Sequence, residues 1–261
     1  MHRDERAEAW LRRYHDEKPG CTRRAFIDMP GDDGRSSYQR LADAARAEGP
    51  GGAVLDLACG DGTLLALLAG ETGGLTGLDM SEGELSSART RLGGRAVLTR
   101  GRAQAMPYPD DQFDVVTCHM ALMLMRPVAP ALSEVRRVLR PGGVFAMILP
   151  TGEREGAWAA LVERLLALPF LDDCPSFGDR RVYREDGLGA LLAGAGFARQ
   201  EQERFTVRRT ASTSELLDFF LDSYDVDRLT PGALAALEAH VHGMRYGDAP
   251  FGFGLKLVTA R

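Results

Sequence analysis

The segment VLDLACGDGTLLALLAG, residues 54–70, limits the choice of fold more than any other part of this chain. A branched apolar run ends in a loop with two glycines and two acids, and a leucine-rich run follows at once. The first run is typical of a buried strand and the second of a helix. Short apolar runs and helix-like segments alternate in this way up to about residue 150, which predicts a parallel sheet with helical crossovers.

Seven strands are expected along the chain. They are placed at about residues 53–58, 74–81, 96–103, 113–120, 143–150, 199–209 and 251–261. RPGG at residues 140–143 is interpreted as a turn between a helix and the fifth strand. This pattern predicts the α/β class, with a Rossmann-like, doubly wound sheet.

Composition and charge narrow the functional classes. The chain has 261 residues, of which 44% are hydrophobic and 26% charged, as in a globular protein with a substantial core. The formal net charge is −5 and the basic residues are scattered, so nucleic acid is not an expected partner. No apolar run approaches the roughly 20 residues that span a bilayer, and the N-terminal residues are charged, so we expect no membrane partner and a cytoplasmic location. The four cysteines lie far apart, so no metal site is predicted.

The loop after the first strand indicates the kind of ligand. Ala58, Gly60 and Gly62 are small, so the backbone can approach a ligand closely. Asp61 lies inside this loop, where its charge would oppose a phosphate bound at the helix N-terminus. Asp56 adds a second carboxylate that could bind an ammonium group. An acidic loop of this kind favours a cationic ligand, although a plain turn between strand and helix remains the alternative.

A second acid follows the second strand. Asp79 is placed to accept hydrogen bonds from both hydroxyls of a ribose, and Met80 beside it could cover an adenine ring. The alternative for Asp79 is a helix N-cap, since DMSEGE also looks like a helix start. Together the two acids predict an adenosine that bears positive charge and lacks phosphate, and S-adenosylmethionine fits this description.

The ordered motifs VLDLACGDG, GLDMS, AMPYPDDQFDVV and LRPGG resemble those of the class I S-adenosylmethionine-dependent methyltransferases, especially the subgroup around ubiquinone and menaquinone biosynthesis. The resemblance extends from about residue 53 to residue 150. It implies a mostly parallel sheet with an antiparallel last strand, S-adenosylmethionine as cofactor and S-adenosylhomocysteine as product.

The resemblance also implies positions for the cofactor. Asp56, Ala58, Gly60 and Gly62 would surround its methionine part, and Asp79 its ribose. Residues 102–104 would lie at the adenine edge, where this chain has Arg102 in place of the acid that is common in relatives. Ala103, through its backbone, and Gln104 are therefore the candidates for the adenine contact.

Other candidates lie outside these motifs. His119 ends the fourth strand near the expected position of the donor methyl, where an imidazole could act as a base, bind the cofactor or merely pack beside it. His15 is a second catalytic candidate, with a surface histidine as the alternative. Arg35 is the expected partner of the methionine carboxylate, and Tyr38 lies near it; an ordinary helix N-terminus is the alternative there.

The acceptor is expected to contact segments that the motifs do not explain. Tyr14, Met123, Tyr183 and Tyr224 are the predicted substrate-binding residues, with core packing as the alternative for Met123. The aromatic residues expected around this region are Phe170, Phe177, Tyr183, Phe219, Phe220, Tyr224 and Tyr246. Such side chains suit an apolar or aromatic small molecule.

We therefore expect a single domain over residues 1–261, acting as a monomer or homodimer. Residues 1–50 would form a helical cap, residues 51–150 the cofactor-binding core, and residues 151–261 the C-terminal half with a substrate-covering insertion at about 210–250. The expected reaction is methylation of a small organic molecule in bacterial secondary metabolism, with oxygen favoured over nitrogen or carbon. The alternatives are a non-methyl reaction such as a cyclisation, and a regulatory protein that binds the cofactor without chemistry.

Overall fold

The computed structural model describes residues 3–70, 73–169, 177–243 and 248–261. Within these ranges seven strands form one sheet. They are β1 (Ala53–Leu57), β2 (Gly74–Asp79), β3 (Val97–Arg100), β4 (Phe113–His119), β5 (Leu139–Glu155), β6 (Gln200–Ala211) and β7 (Ala249–Ala260). Their order across the sheet is β3-β2-β1-β4-β5-β7-β6.

The strand pairing confirms the predicted fold class. β1 pairs in parallel with β2 and β4, and parallel pairing continues outwards to β3 and β5. β7 is antiparallel to both of its neighbours, β5 and β6. The chain runs outwards from β1 in one direction and then from β4 in the other, so the strand order reverses between them. This reversal leaves a crevice at the carboxyl ends of β1 and β4, where α/β proteins bind ligands.

Helices cover both faces of the sheet. They are α1 (Arg3–Glu17), α2 (Cys21–Phe26), α3 (Ser37–Glu48), α4 (Thr63–Leu68), α5 (Glu82–Leu92), α6 (Val128–Val138), α7 (Gly156–Leu166), α8 (Glu185–Gly194), α9 (Thr213–Leu221) and α10 (Pro231–Gly243). Leu41, Leu65 and Leu161 of α3, α4 and α7 are fully buried in one core cluster. Leu132 of α6 and Leu192 of α8 belong to the cluster on the other face.

Two local expectations differ from the structure. Residues 101–112, which connect β3 to β4, contain no helix. RPGG lies within β5, which begins at Leu139, and is not a separate turn. Its residues nevertheless bulge from the sheet, because the register jumps from the pair Phe113 and Leu139 to the pair Val115 and Val144.

Further helices come before the sheet and between its last two strands in the chain. α1 and α2 precede the sheet, and α9 and α10 lie between β6 and β7. Strands from both the expected core and the expected C-terminal half join the same sheet; the proposed division of the chain stays a prediction. None of the helices in the described ranges combines the length and the apolar character needed to cross a membrane.

Candidate active site

A cleft opens at the carboxyl ends of β1, β2 and β4 and extends beneath α1 and α2. The empty space inside it, including the solvent-open space at its mouth, is about 1110 Å³. The predicted site residues that line it are His15, Tyr38, Asp56, Ala58, Gly60, Asp79, Met80, Ala103, Gln104, His119 and Tyr224. The structure brings these residues together, and their individual roles stay predictions.

Asp79 is fixed by the loops around it. The backbone N–H groups of Gly60 and Ser81 each donate a hydrogen bond to its carboxylate at 2.9 Å. Burial raises the pKa of Asp79 above its usual value, although these two hydrogen bonds oppose the shift. The N-cap of α5 is Ser81, whose hydroxyl accepts a hydrogen bond from the backbone of Glu84. The alternative of Asp79 as the helix cap is therefore wrong, and its carboxylate instead connects the loops after β1 and β2.

Asp56 is the second buried acid of the cleft. Its carboxylate accepts a hydrogen bond of 2.9 Å from the Thr117 hydroxyl on the neighbouring strand. Burial raises the pKa of Asp56 to about 7, and the nearby charge of Asp79 adds to the increase. Near neutral pH the group is poised between its two forms, so a cationic ligand would favour the carboxylate.

Asp61 differs from these two acids because its charge is already compensated. The Arg91 guanidinium lies 2.6 Å from its carboxylate, and the Thr63 hydroxyl donates to it at 2.6 Å. The expectation that Asp61 gives the loop a negative charge for the ligand is therefore wrong. Among the described residues, Asp56 and Asp79 have no ion-pair partner and supply the available negative charge.

Backbone strain occurs at the tips of two adjacent strands. Ala58 follows β1 with a φ of 56°, and Met120 follows β4 with a φ of 53°. Non-glycine residues in this left-handed region cost of order 1–3 kcal/mol each and cluster at functional sites. Their position beside the cleft supports this edge of the sheet as the functional one.

Gly62 does not line the cleft. Its φ is +75°, and a Cβ atom there would lie 2.9 Å from Leu92 Cδ1 and 3.1 Å from Ala88 Cβ. Its lack of a side chain allows the loop to pack closely against α5. The structure thus gives Gly62 a packing role where a cofactor contact was predicted.

His119 is held in a buried position, with 7% of its surface exposed. Its Nε2 lies 2.9 Å from Ser37 Oγ, and its ring stacks on Tyr38 with 3.8 Å between centroids. Its Nδ1 is buried without a hydrogen-bond partner among the described residues. Burial lowers the pKa of His119 to about 3, so the imidazole is neutral near pH 7 and weakly basic. The geometry therefore favours a hydrogen-bonding role for His119 over its predicted role as a base.

The adenine side of the cleft contains Met80, Ala103 and Gln104. The Gln104 amide donates a hydrogen bond of 3.4 Å to the Pro127 carbonyl, which orients it. Arg102 turns to the N-terminal helix, where it pairs with the Glu8 carboxylate at 2.6 Å. The arginine that replaces the usual acid thus attaches α1 to the core.

A buried polar cluster joins the N-terminal segment to α5. His15 Nδ1 lies 2.8 Å from Glu84 Oε1, and His15 Nε2 lies 2.9 Å from the Tyr224 hydroxyl. The second oxygen of Glu84 accepts the backbone N–H of Gly20 at 2.8 Å. Burial acts to lower the pKa of His15, but its contacts with Tyr224, Cys21 and Glu84 outweigh burial and raise the pKa well above the usual value. His15 is thus not the surface histidine of the alternative interpretation.

Other predicted residues lie away from the cleft. Arg35 is 48% exposed at its side chain, pairs with Asp33 at 2.6 Å and Asp43 at 3.1 Å, and does not line the cleft. Tyr14 is buried, and its hydroxyl donates to the Asp222 carbonyl. Neither residue is in position to touch a ligand in the cleft.

Of the other residues predicted to bind the methyl acceptor, some line the cleft and some do not. Tyr224 lines the cleft. Met123 packs in the core cluster of α6 and α8, as its alternative interpretation proposed, and Tyr183 is 42% exposed outside the cleft. The predicted aromatic residues Phe170 and Tyr246 lie outside the described residues, as does Cys174.

Sequence reasoning missed three residues of the site. Arg23 on α2 lines the cleft, and its guanidinium has no partner among the described residues. Glu84 also lines the cleft and is 2% exposed, whereas an acid in the first turn of a helix usually indicates solvent exposure. Ser37 was recognised only as part of a helix start. The segment GCTRRAF contains no acid, but this applies equally to Arg24, which pairs with Asp222, so the sequence did not single out Arg23.

The sheet order, the cleft at its switch point and the acids at the strand tips together define a Rossmann-like fold of the methyltransferase type. Residues 55–147 match a family model described as a methyltransferase domain. This segment is therefore a methyltransferase domain of the class I, S-adenosylmethionine-dependent type, as the sequence resemblance predicted.

Curated and solved proteins agree with this assignment. The chain is 43% identical over 135 residues to the ubiquinone/menaquinone biosynthesis C-methyltransferase UbiE of Burkholderia mallei. The matched segment covers 48% of this chain and 54% of that protein. It spans only about 41% to 54% of the length of the first curated relatives that it matches.

Two solved structures share the fold over most of the chain. The YcgJ protein from Bacillus subtilis has a TM-score of 0.61 and 18% identity, covering 86% of this chain and 97% of its own. The [4+2]-cyclase SpnF has a TM-score of 0.57 and 22% identity, covering 96% and 95%. At these identities the likeness concerns the fold alone.

Proposed function

We propose that this protein transfers a methyl group from S-adenosylmethionine to a small organic acceptor and releases S-adenosylhomocysteine. The observation that carries the proposal is the pair of buried carboxylates, Asp56 and Asp79, at neighbouring strand tips beside an open cleft. Two acids that have no ion-pair partner in the described part of the chain suit a ligand that combines ribose hydroxyls with an ammonium and a sulfonium group.

The residues that line the cleft have complementary roles in this proposal. Asp79 binds the ribose, Met80 and Gln104 lie against the adenine, and Asp56 with the loop at Ala58 and Gly60 receives the methionine part. Arg23, which has no partner among the described residues, binds the methionine carboxylate in the role first predicted for Arg35.

Methyl transfer makes limited demands on the protein. The sulfonium is already an activated donor, so the site must mainly fix distance and line of approach and exclude water. His119 is neutral, and its Nδ1 has no partner within the described ranges, so it is suited to orient a ligand by one hydrogen bond. The cap formed by α1 and α2 covers the cleft and restricts access of water.

We favour oxygen as the methylated atom, in a bacterial secondary-metabolic reaction in the cytoplasm. The name of the 43% identical relative gives carbon methylation of quinone precursors as the main rival. The likeness to SpnF leaves room for a cyclisation, since the fold does not distinguish the two kinds of reaction.

The test supplies S-adenosylmethionine labelled with ¹³C at the methyl group and a panel of phenols, quinols and amines. Formation of S-adenosylhomocysteine together with a labelled product supports the proposal, and the ¹³C chemical shift of the product identifies the methylated atom. Acceptor conversion without S-adenosylhomocysteine would assign a non-methyl reaction. Cofactor binding without any conversion across the panel would favour the regulatory alternative.

A further inference from the structure

The cluster at His15 contains a continuous chain of hydrogen bonds that the proposed methyl transfer does not by itself require. It extends from Tyr224 Oη to His15 Nε2 at 2.9 Å and from His15 Nδ1 to Glu84 Oε1 at 2.8 Å. Tyr224, His15 and Glu84 all line the cleft, although they come from distant parts of the chain. The chain of bonds therefore ends at the space that a ligand would occupy.

The hydrogen-bond acceptors in this series of bonds fix the direction in which protons are donated. The Glu84 carboxylate accepts at both oxygens, from the Gly20 backbone N–H and from His15 Nδ1. With Nδ1 as the donor, the neutral imidazole has a free lone pair on Nε2. Nε2 then accepts the phenolic proton of Tyr224. A carboxylate that orients an imidazole, which in turn faces a hydroxyl group, is the arrangement by which proteins activate a proton-bearing group.

We propose that Tyr224, His15 and Glu84 form a proton-transfer chain that deprotonates an acceptor carrying an ionisable hydroxyl group, such as a phenol or an enol. The inference rests on the proposed function and specifies its acceptor class. Tyr224 is the catalytic residue because it faces the acceptor. His15 takes the proton through Tyr224, and Glu84 is a positioning residue.

The step balances in atoms and charge. The acceptor O–H bond breaks and its proton passes to the Tyr224 oxygen, while the Tyr224 proton passes to His15 Nε2. The freed electron pair on the acceptor oxygen forms the new bond to the methyl carbon as the bond from sulfur to that carbon breaks. The products are a methyl ether, neutral S-adenosylhomocysteine and an imidazolium at His15, which returns its proton to water.

The surroundings of His15 determine how this chain titrates. Glu84 faces it from α5, Cys21 from α2, Tyr224 from the segment after α9, and Asp79 at the end of β2 acts on it electrostatically. Tyr14 on α1 packs beside His15, and the Lys18 ammonium lies over the Tyr14 ring. The raised pKa of His15 makes the imidazole a better match for the proton of a phenol. Below that raised pKa Nε2 already carries a proton, so proton transfer from Tyr224 to His15 is blocked until the pH rises above it.

A rival interpretation concerns the same atoms. Ligand atoms of His15, Cys21 and Glu84 lie within 4.8 Å of one another, close enough to hold a metal ion. Each polar atom of the His15 and Glu84 side chains nevertheless has a hydrogen-bond partner in the protein. The described contacts thus account for the cluster without an ion, and the metal becomes an outcome of the test.

The experiment uses 4-nitrophenol, whose anion absorbs visible light, added to the protein loaded with S-adenosylhomocysteine. The parent protein is expected to bind the phenol and to lower the pH midpoint of its ionisation by about one unit or more. Tyr224→Phe interrupts the chain and is expected to return the midpoint to its value in water. His15→Gln should do the same, and Glu84→Gln should move the midpoint part of the way.

The matched control is Tyr14→Phe. Tyr14 belongs to the same aromatic cluster, 4.8 Å from Tyr224 between ring centroids, but its hydroxyl bonds to the Asp222 carbonyl away from the cleft. This variant should keep the lowered midpoint. Should the buried Glu84→Gln variant fail to fold, Tyr224→Phe and His15→Gln still decide the question.

The outcomes separate the inference from the proposed function. No lowered midpoint in the parent, or a lowered midpoint that persists in Tyr224→Phe, overturns the proton-transfer chain. Stoichiometric zinc in the purified protein, with loss of the phenolate signal on chelation, assigns the cluster to a metal and also overturns it. Because the probe reports ionisation without methyl transfer, a positive result combined with no S-adenosylhomocysteine in the labelling assay would defeat the proposed function alone.

Discussion

The Ser37 hydroxyl oxygen lies 2.9 Å from Nε2 of His119, so the first turn of α3 holds the imidazole that ends β4. The other ring nitrogen of His119 has no partner among the described residues, although it is buried. A buried polar atom without a partner is costly unless a ligand or water satisfies it. Ser37 thus partners one ring nitrogen of His119, while the other stays buried without a partner among the described residues.

Acid should destabilise the protein through His119. Its pKa is lowered to about 3 by burial, whereas an unfolded histidine has a pKa of about 6.5. The unfolded chain therefore binds a proton that the folded protein excludes, so the contribution is favourable above about pH 6.5 and is lost as the pH falls from 6.5 towards 3. In urea unfolding measurements, we expect His119 to make the free energy of unfolding rise by about 1.4 kcal/mol per pH unit in this range.

His119→Gln should remove this contribution to the pH dependence of the free energy of unfolding. His242→Gln, at an exposed position on α10, should keep the pH dependence of the parent. If His119 acts mainly by orienting a ligand, His119→Gln should retain methyl transfer with a loss of about tenfold. A loss of three orders of magnitude or more would instead restore the role of His119 as the base.

Cofactor binding should release a proton from Asp56. Burial and the charge of Asp79 raise the pKa of Asp56 to about 7, so the carboxyl is partly protonated in the free protein at neutral pH. A cationic ligand favours the carboxylate, so affinity should increase by up to about tenfold per pH unit as the pH rises towards 7. Calorimetry of S-adenosylmethionine binding in phosphate and in Tris reports the released proton as a difference in apparent enthalpy.

Asp56→Asn cannot ionise and should bind more weakly, with no buffer-dependent enthalpy in this range. Asp114→Asn changes a carboxylate outside the cleft, paired with Arg140, and should retain the linkage of the parent. Equal proton release in the parent and in Asp56→Asn would place the titrating group elsewhere.

The parts of the site that follow from local sequence were predictable. Asp56 and Asp79 end strands whose apolar runs are visible in the sequence, and parallel strands bring their carboxyl ends to one edge. Arg35 was misplaced because its closest acceptors, Asp33 and Asp43, are sequence neighbours that satisfy it at the surface. Glu84 was missed because its burial depends on residues some 65 positions away, which fold over α5 only in the tertiary structure.

Arg23 should determine the preference for a ligand with a carboxylate. Its guanidinium lines the cleft without a partner of its own among the described residues, so it is available for the methionine carboxylate. A charge-assisted hydrogen bond contributes about 1.5–3 kcal/mol, which corresponds to roughly 10–150-fold in affinity. Arg23→Gln should weaken S-adenosylmethionine binding by this factor in calorimetry and leave binding of its decarboxylated analogue nearly unchanged.

Arg35→Gln is the matched variant, since that guanidinium pairs with Asp33 and Asp43 away from the cleft. It should keep the preference of the parent for the carboxylate form. Loss of the preference in Arg35→Gln but not in Arg23→Gln would reverse the assignment and return the role to the arginine that the sequence first indicated.

Gly62 should tolerate a side chain far less well than Gly93, although both have a left-handed backbone. Their φ values are +75° and +56°, so alanine at either position carries a conformational penalty of about 1–2 kcal/mol. A Cβ at Gly93 meets nothing within 4 Å, whereas at Gly62 it would lie 2.9 Å from Leu92 Cδ1. Overpacking of this kind costs about 1–3 kcal/mol in addition. Gly62→Ala should therefore lower the free energy of unfolding by more than Gly93→Ala, and equal losses in urea titrations would show that backbone conformation, rather than close packing against α5, requires glycine in this loop.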